Sequence, residues 1–150
     1  MEAYKHTQFG YAIAVSLGIA ILFCIVLALV IPRSNIMIPI ILILAFTLYL
    51  FSSLTIEVNT NLVKLKFGPG LIKTAFRLDE ISHCQIVTNP WYYGYGIHLF
   101  ISSGWIYNVS GNQAVELVMK NGKKYRLGTD EPETLYQAIL ARLETSEENI

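Results

Sequence analysis

Aromatic side chains that could bind a partner are concentrated in one short segment of this sequence. The segment from Asn89 to Gly96 contains Trp91, Tyr92, Tyr93 and Tyr95. Pro90 and Gly94 interrupt it, which predicts a loop. Tryptophan and tyrosine combine a large apolar body with a polar tip, so a loop of this kind can anchor a protein or peptide partner.

Two further aromatic residues follow on a predicted strand and are expected to lie near this loop in the folded chain. The partner-binding candidates are therefore Trp91, Tyr92, Tyr93, Tyr95, Trp105 and Tyr107. Two other interpretations stay open at this stage. These side chains can cover the open end of a small barrel as ordinary core, or they can lie at the headgroup level of a membrane.

Basic residues form a second candidate site. Alternation along two predicted strands puts four of them on one face, soon after the apolar N-terminal part of the chain. These lipid-headgroup candidates are Lys64, Lys66, Lys73 and Arg77. Close to an anionic membrane each would contribute about 1 kcal/mol of attraction, and the alternative is an ordinary solvated surface. A second basic cluster contains Lys120, Lys123, Lys124 and Arg126.

The sequence contains little that predicts catalysis. His83 and Cys84 are neighbours on a predicted strand and therefore point to opposite faces. A pair formed by Cys84 and His98 would lack a third residue to orient the histidine. The turn at residues 68–70 is not followed by the Lys-Ser/Thr pair of a phosphate-binding loop. We therefore expect no enzymatic activity, no metal site and no cofactor.

The net charge of zero hides two blocks of opposite sign. Residues 60–126 carry eight Lys/Arg and three Asp/Glu, whereas residues 127–150 carry one and six. The acidic block argues against nucleic-acid binding. Glu144 to Ile150 is expected to fray, or to fold onto a basic cluster and mask it.

These candidate sites come after an N-terminal part that is typical of membrane proteins. Two apolar runs, residues 9–31 and 36–54, contain no Asp, Glu, Lys or Arg and are separated by four polar residues. Each has the roughly 20 residues that a helix needs to cross about 30 Å of hydrocarbon. The sequence therefore predicts a transmembrane helical hairpin over residues 1–54. Its lack of charge argues against a transporter.

The distribution of basic residues predicts how the hairpin is oriented. Lys5, Lys64, Lys66 and Lys73 lie near its outer ends, whereas the connecting loop has only Arg33. The positive-inside rule then predicts a multi-pass protein of the inner (plasma) membrane with both termini in the cytoplasm. The alternative, a cleaved signal peptide, fits less well because the first run exceeds the usual 7 to 15 apolar residues.

Small residues form a stripe on the first apolar helix that allows close approach of a second helix. The stripe consists of Ala12, Ser16, Ala20, Cys24 and Ala28. Packing against the second helix of the same chain and homodimerisation through the first transmembrane helix are both compatible with it. Cys24 and Cys84 have no evident route to a disulfide, which is compatible with a reducing compartment.

After residue 54 the pattern changes to short alternating strands. Strands are predicted at 54–58, 61–67, 71–78, 83–88, 97–101, 105–109, 114–120 and 123–128, the last two joined by the hairpin signal Asn121-Gly122. An amphipathic helix with Leu135, Ile139 and Leu143 on one face closes the chain. Residues 55–150 are therefore predicted to form a cytoplasmic antiparallel β barrel or sandwich of seven or eight strands, with a C-terminal helix and a short acidic tail. The fold class is membrane-anchored α+β.

Several segments resemble small bacterial membrane proteins with a pleckstrin-homology-like (PH-like) domain. The segments are residues 67–70, 89–97, 105–111 and 128–132. The resemblance implies a PH-like fold, a membrane anchor and no established enzymatic activity, and it assigns no binding residue. Together with the residue chemistry it predicts a non-enzymatic interaction module that binds a protein or peptide partner at the cytoplasmic membrane face. The alternative is binding of anionic lipid headgroups through the basic strands.

Overall fold

The N-terminal part of the chain is a pair of helices inserted between two strands. The computed structural model describes residues 4–31 and 35–147, with side chains of the last helix as far as residue 145, so that Arg33 lies outside the described residues. In chain order these elements are β1 (Tyr4–Phe9), α1 (Tyr11–Val30), α2 (Met37–Phe51) and β2 (Ser53–Val58). The two helices contact each other, and β1 pairs with β2 in antiparallel register, with Phe9 opposite Ser53. Both ends of the helical pair therefore leave from the same end of one sheet.

The two helices are shorter than the predicted spans 9–31 and 36–54. Phe9 belongs to β1, and Ser53 and Leu54 belong to β2. A strand can be as apolar as a membrane helix, so an apolar run alone does not show where the helix ends and the strand begins. α1, with 20 residues, is the one described helix that is long and apolar enough to span a membrane, whereas α2 has 15 residues.

The described strands form two sheets, one of four strands and one of five. The first sheet has the order β1-β2-β3-β4, in which β3 is Leu62–Phe67 and β4 is Ile72–Arg77. The second sheet has the order β5-β8-β9-β7-β6. Its strands are β5 (Ile81–Thr88), β6 (Gly96–Phe100), β7 (Gly104–Asn108), β8 (Gln113–Met119) and β9 (Lys124–Gly128).

The predicted α+β class with a C-terminal helix is confirmed, but three details of the predicted sheet structure are wrong. The described chain has nine strands instead of seven or eight, because β1 precedes the first helix. The sheets are not closed into a barrel, since β4 and β6 remain unpaired edges among the described strands. The sheets are also not entirely antiparallel, because β7 and β9 pair in parallel.

The core lies between the two sheets and the C-terminal helix α3 (Pro132–Glu147). Leu65 and Phe67 from the first sheet, Leu117 and Leu127 from the second, and Ile139 from α3 are at most 1% exposed. α3 contacts β5 and β8 and continues to Glu147, so residues 144–147 of the predicted tail belong to the helix. The predicted tail beyond Glu147 lies outside the described residues.

The sheet assembly has a helix-proximal end and a distal end. At the helix-proximal end, the Gly68 N–H donates to the Ser53 carbonyl at 2.8 Å. At the same end the Gln8 side chain donates to the Ser110 carbonyl at 2.9 Å, which connects the first sheet to the second. The distal end carries the turn between β6 and β7 and the hairpin at Asn121-Gly122, which joins β8 to β9 as predicted.

Candidate functional site

The aromatic loop, residues 89–96, begins and ends at the helix-proximal end of the five-stranded sheet. The Asn89 N–H donates to the Asn112 carbonyl at 2.7 Å, and Gly96 pairs with Asn108 where β6 begins. Gly94 and Gly96 have φ angles of 68° and 110°, which side chains with a Cβ atom rarely adopt. The loop is therefore closed by backbone hydrogen bonds and by two glycine conformations.

Tyr93 fixes the middle of this loop to the sheet. Its ring stacks on Phe100 with 4.1 Å between ring centroids and 19° between planes. Its hydroxyl is hydrogen-bonded to the Ser103 hydroxyl at 2.9 Å, and the Arg126 guanidinium lies 6.0 Å from the ring centroid. The Ser103 hydrogen bond is the main reason why the pKa of Tyr93 is lowered. Tyr93 thus serves as the anchor of the loop.

A buried polar network holds the start of the loop. Glu116 is 1% exposed and accepts hydrogen bonds from Arg126 Nε at 2.7 Å and from Gln85 at 2.8 Å. A second nitrogen of Arg126 donates to Asn89 Oδ1 at 3.0 Å. Burial opposes the charge of Glu116, but these hydrogen bonds outweigh it and lower the pKa of the carboxyl group. The network therefore joins three strands to the first residue of the loop.

Trp91 and Tyr92 project away from this anchored base. Trp91 is 83% exposed and Tyr92 is 65% exposed, although the Tyr92 ring is only 5.2 Å from the ring of the anchored Tyr93. Tyr95 is also exposed, and its carbonyl is hydrogen-bonded to His98 Nε2 at 2.6 Å. Trp91 and Tyr92 are therefore not ordinary core residues, and a rigid base presents them to the surroundings.

Trp105 and Tyr107 do not join this surface, although the sequence predicts that they lie near it. Trp105 stands opposite Leu99 and not Phe100, so it lies on the sheet face opposite to the one on which Tyr93 stacks. Tyr107 lies inside, with its ring 6.2 Å from that of Phe76. The six predicted aromatic residues therefore divide between two faces of the five-stranded sheet.

The inner aromatic residues line a groove beside β4. The groove is a concavity of ≈ 380 Å³ whose walls include Phe76, Arg77, Trp105, Tyr107 and Tyr125. A second concavity of ≈ 380 Å³ at the distal end is lined by Leu99, Ile101, Trp105, Lys123 and Lys124. Trp105 belongs to both concavities, which makes them neighbours along one open side of the molecule.

The basic residues of β3 and β4 share the outer face of the four-stranded sheet, as their alternation predicts. Lys66 stands directly opposite Lys73, and Lys64 lies two residues farther along β3. Among the described residues these three lysines form no salt bridge, whereas Lys5 pairs with Glu57 at 2.9 Å. The Lys5 hydrogen bond is the main reason why the pKa of Glu57 is lowered. Arg77, on the same face, is paired with Asp79 at 2.6 Å.

The second basic cluster does not remain together. Arg126 belongs to the buried network with Glu116, whereas Lys123 and Lys124 line the distal concavity. Position along β9 explains the separation: Lys123 and Lys124 lie where the strand begins, at the distal end, whereas Arg126 lies farther along it, opposite Glu116.

The residues considered for catalysis are dispersed. Cys84 is buried opposite Leu117, and burial raises the pKa of its thiol to about 11. Within the described ranges no group of three His, Cys, Asp or Glu side chains is arranged to hold a metal ion.

His6 contacts Asp130 at 2.6 Å and joins β1 to the segment before α3. No pattern in the sequence indicates this contact, since the two residues are 124 positions apart.

Comparison of this chain with models of protein families, with curated proteins and with solved structures finds no match.

Proposed function

We propose that this protein is a non-enzymatic, membrane-anchored interaction module that binds a protein or peptide partner at the cytoplasmic face of the plasma membrane. The observation that carries the proposal is the 83% exposure of Trp91 on a loop whose neighbouring Tyr93 is stacked and hydrogen-bonded. An exposed aromatic residue on a rigid base loses little conformational entropy on binding, which is typical of interface hot spots. Tyr92 and Tyr95 extend the same surface.

The helical pair supports the membrane anchor. No residue of α1 or α2 is buried, and large apolar side chains such as Phe23, Leu29 and Phe46 are mostly exposed. Helices that are apolar all round and are not covered by protein need lipid around them. A cleaved leader would also remove β1, which pairs with β2 through six residue pairs. Because cleavage would remove an edge strand from the sheet, this pairing argues against a cleaved leader.

The pairing of β1 with β2 supports two crossings instead of one. Once α1 has crossed the bilayer, the chain must return in order to place β2 beside β1, and α2 is the element that connects them. The 15 residues of α2 span about 22 Å. Bilayer thinning and the adjoining apolar residues can accommodate such a difference at a modest cost. Lys66 and Lys73, close to the helix-proximal end, favour the cytoplasmic side for the sheets.

The PH-like assignment belongs to this proposal as well. Two facing sheets followed by a C-terminal helix support it. The ninth strand and the parallel pairing of β7 with β9 depart from the antiparallel pattern of seven or eight strands that the resemblance leads one to expect.

Photo-cross-linking of the full-length protein in its native membrane tests the proposal. A photoreactive residue at position 92 should form one discrete protein adduct, and Trp91→Ala should reduce its yield at least tenfold. Ile101→Ala is the matched control, because Ile101 is fully exposed but lies on the turn between β6 and β7. Adducts to lipid alone, or equal yields in both variants, would count against partner binding by this loop.

Anionic lipid headgroups are the second candidate ligand, favoured by the direct opposition of Lys66 and Lys73 without a salt bridge to any described carboxylate. Like charges opposite each other are unfavourable in a sheet, and an anion between them would relieve the repulsion. In nanodiscs containing phosphatidylglycerol, the double variant Lys66→Gln, Lys73→Gln should retain fewer bound anionic lipids in native mass spectrometry. The control is Lys123→Gln, Lys124→Gln, which removes the same charge at the distal end. Equal retention by both variants would exclude this role.

A further inference from the structure

The two sheets do not cover each other completely. The four-stranded sheet ends at β4, whose Phe76 ring lies 4.5 Å from the ring of Tyr125 on β9. Beyond β9, the five-stranded sheet continues through β7 to its edge strand β6. The inner face of β6 therefore extends past the last strand of the opposite sheet, and Leu99 on that face is 63% exposed.

The uncovered region has the width of one strand and is bordered by an unpaired edge. On one side is the free edge of β4, six residues from Ile72 to Arg77. Below it is an apolar surface formed by Leu99 and Trp105, of which Trp105 is 40% exposed. A strand added beside β4 would continue the first sheet and cover this surface, because neighbouring strands are about 4.8 Å apart and facing sheets about 10 Å apart.

We propose that an extended segment of the partner protein, with alternating apolar and acidic residues, adds as a fifth strand to β4. The inference deepens the proposed function, on which it rests for the existence of a partner. The backbone of the segment pairs with the edge of β4, and its inward side chains contact Leu99 and Trp105. This mode of recognition combines main-chain hydrogen bonds with side-chain contacts at every second residue.

The acidic character of the segment is inferred from the charges around the groove. Lys73 lies on β4 itself, and Lys123 and Lys124 line the concavity that also contains Leu99 and Trp105. None of these three lysines forms a salt bridge with a residue of the described ranges. The nearby carboxylates of Asp79 and Glu80 are already engaged by Arg77. Carboxylates on the outward face of an added strand would meet Lys73, and a carboxylate at its distal end would meet Lys123 and Lys124. Basic side chains at the same positions would be repelled.

A second copy of this chain does not fit the edge of β4. β4 runs from the helix-proximal end to the distal end. Antiparallel pairing of two β4 strands would place the two helical pairs at opposite ends, so that they could not lie in the same bilayer. Parallel pairing of the two β4 edges requires a two-fold axis along the strands, which inverts the faces and would place Lys73 and Arg77 of one copy over the apolar surface formed by Leu99 and Trp105 of the other. The occupant is therefore a segment of a different protein.

A displayed peptide library tests this inference with the full-length protein in nanodiscs. Ten-residue peptides carry glutamate at alternate positions and random apolar residues between them, and a parallel library carries lysine instead. The glutamate library should enrich at least tenfold over the lysine library. Enrichment should fall at least tenfold on Leu99→Asn, whereas Thr134→Asn, on the exposed face of α3, should have no effect. Leu99 is 63% exposed and Thr134 is also exposed, so neither substitution opens a cavity in the core.

The outcomes separate the two proposals. Strand addition at β4 would be overturned if the glutamate library were not enriched or if the lysine library were preferred. It would also be overturned if the glutamate library were enriched equally on the wild type and on Leu99→Asn. If, in addition, the adduct from position 92 still depends on Trp91, the proposed function stands and only the site and form of the partner change. If the glutamate library enriches and depends on Leu99 while position 92 gives no protein adduct, strand addition stands and the aromatic loop is not the contact surface.

Discussion

Glu116 is the charged side chain on which the shape of the aromatic loop depends. Its carboxylate accepts hydrogen bonds from Arg126 and Gln85. Arg126 also donates a hydrogen bond to Asn89 at the start of the loop. In a place with so little solvent, a charge is tolerated only with hydrogen bonds of this kind. The pairing therefore stabilises the sheet and the position of the loop together.

Replacing Glu116 with Gln should lower the free energy of unfolding by about 2 to 3 kcal/mol, because Arg126 would lose its charged acceptor. Glu57→Gln removes a carboxylate whose side chain is 31% exposed in its pair with Lys5, and it should change stability by less than about 1 kcal/mol. Thermal unfolding of the full-length protein in detergent, followed by circular dichroism, measures both. Equal losses would show that burial does not strengthen the Glu116 pair.

The Glu116 carboxylate should make the stability of the folded protein depend on pH in the acidic range. The pKa of Glu116 is lowered in the folded chain, so its contribution is present above the unfolded value of about 4.3 and is lost as the pH falls through the folded pKa. The wild type should therefore lose stability below about pH 4 more steeply than Glu116→Gln. Parallel pH profiles of the two melting temperatures would contradict this assignment.

Cys84 should be nearly inert in the folded protein. With its pKa raised to about 11 by burial, its thiolate fraction at pH 8 is roughly 200-fold below that of a free cysteine with a pKa of 8.5. In the Cys24→Ala variant, iodoacetamide should label Cys84 at least that much more slowly before unfolding than after it. Mass spectrometry measures the rates, and fast labelling of the native protein would mean that Cys84 is accessible.

At the level of single residues, the sequence shows which segment is rich in aromatic residues, but not which of their side chains pack against the sheet and which are exposed. It identifies the loop from Asn89 to Gly96 as aromatic, but it does not indicate that Tyr93 is the anchor and Trp91 the exposed tip. That difference depends on Phe100 and Ser103, which the chain reaches only after it has formed β6. The sequence also does not show that Trp105 and the loop lie on opposite faces of the sheet, because this depends on the register between β6 and β7.

At the level of elements, β1 is the strand that sequence patterns missed. Its six residues, YKHTQF, include a Gln and a Thr, and the central Lys and His give no run of apolar residues. Its strand conformation comes from pairing with β2, a contact between parts of the chain that are about 50 residues apart, which local patterns do not detect. The strands with clear alternation, such as β3, lie within one residue of their predicted positions.

The turn between β3 and β4 should be sensitive to a single methyl group where it approaches α2. A Cβ at Gly68 would lie 2.7 Å from the Leu50 carbonyl oxygen, in addition to the strain of a φ angle of +45°. Gly68→Ala should therefore cost about 3 kcal/mol, of which about 1 arises from the backbone conformation. Gly122→Ala is the control, since its φ is +82° but nothing lies within 4 Å, and it should cost only about 1 kcal/mol.

Thermal unfolding of both glycine variants in detergent gives the comparison. A larger loss for Gly68→Ala would mean that the sheets are seated directly on the end of α2. Equal losses would mean that the helical pair and the sheets are only loosely joined at this turn.

At the level of the whole molecule, the order of elements links the helical pair to the sheets more closely than two helices followed by a separate domain would be linked. The sequence predicts a hairpin that ends where the domain begins. In the structure, β1 precedes the hairpin and completes the sheet that comes after it. A fragment that starts at residue 55 would lack β1 and the first residues of β2, and it would expose the edge of β2. Binding experiments therefore need the full-length chain.

The pairing of β1 with β2 also predicts the topology that the proposed membrane anchor would have. If α1 and α2 both cross the membrane, residue 35 between them must lie on the side opposite to residue 121 in the distal hairpin. In a Cys24→Ala, Cys84→Ala background, a membrane-impermeant maleimide should label Asn35→Cys in intact cells. It should label Asn121→Cys only after the membrane is permeabilised. Labelling of both positions before permeabilisation would place the sheets outside, and labelling of neither would mean that the chain does not cross twice.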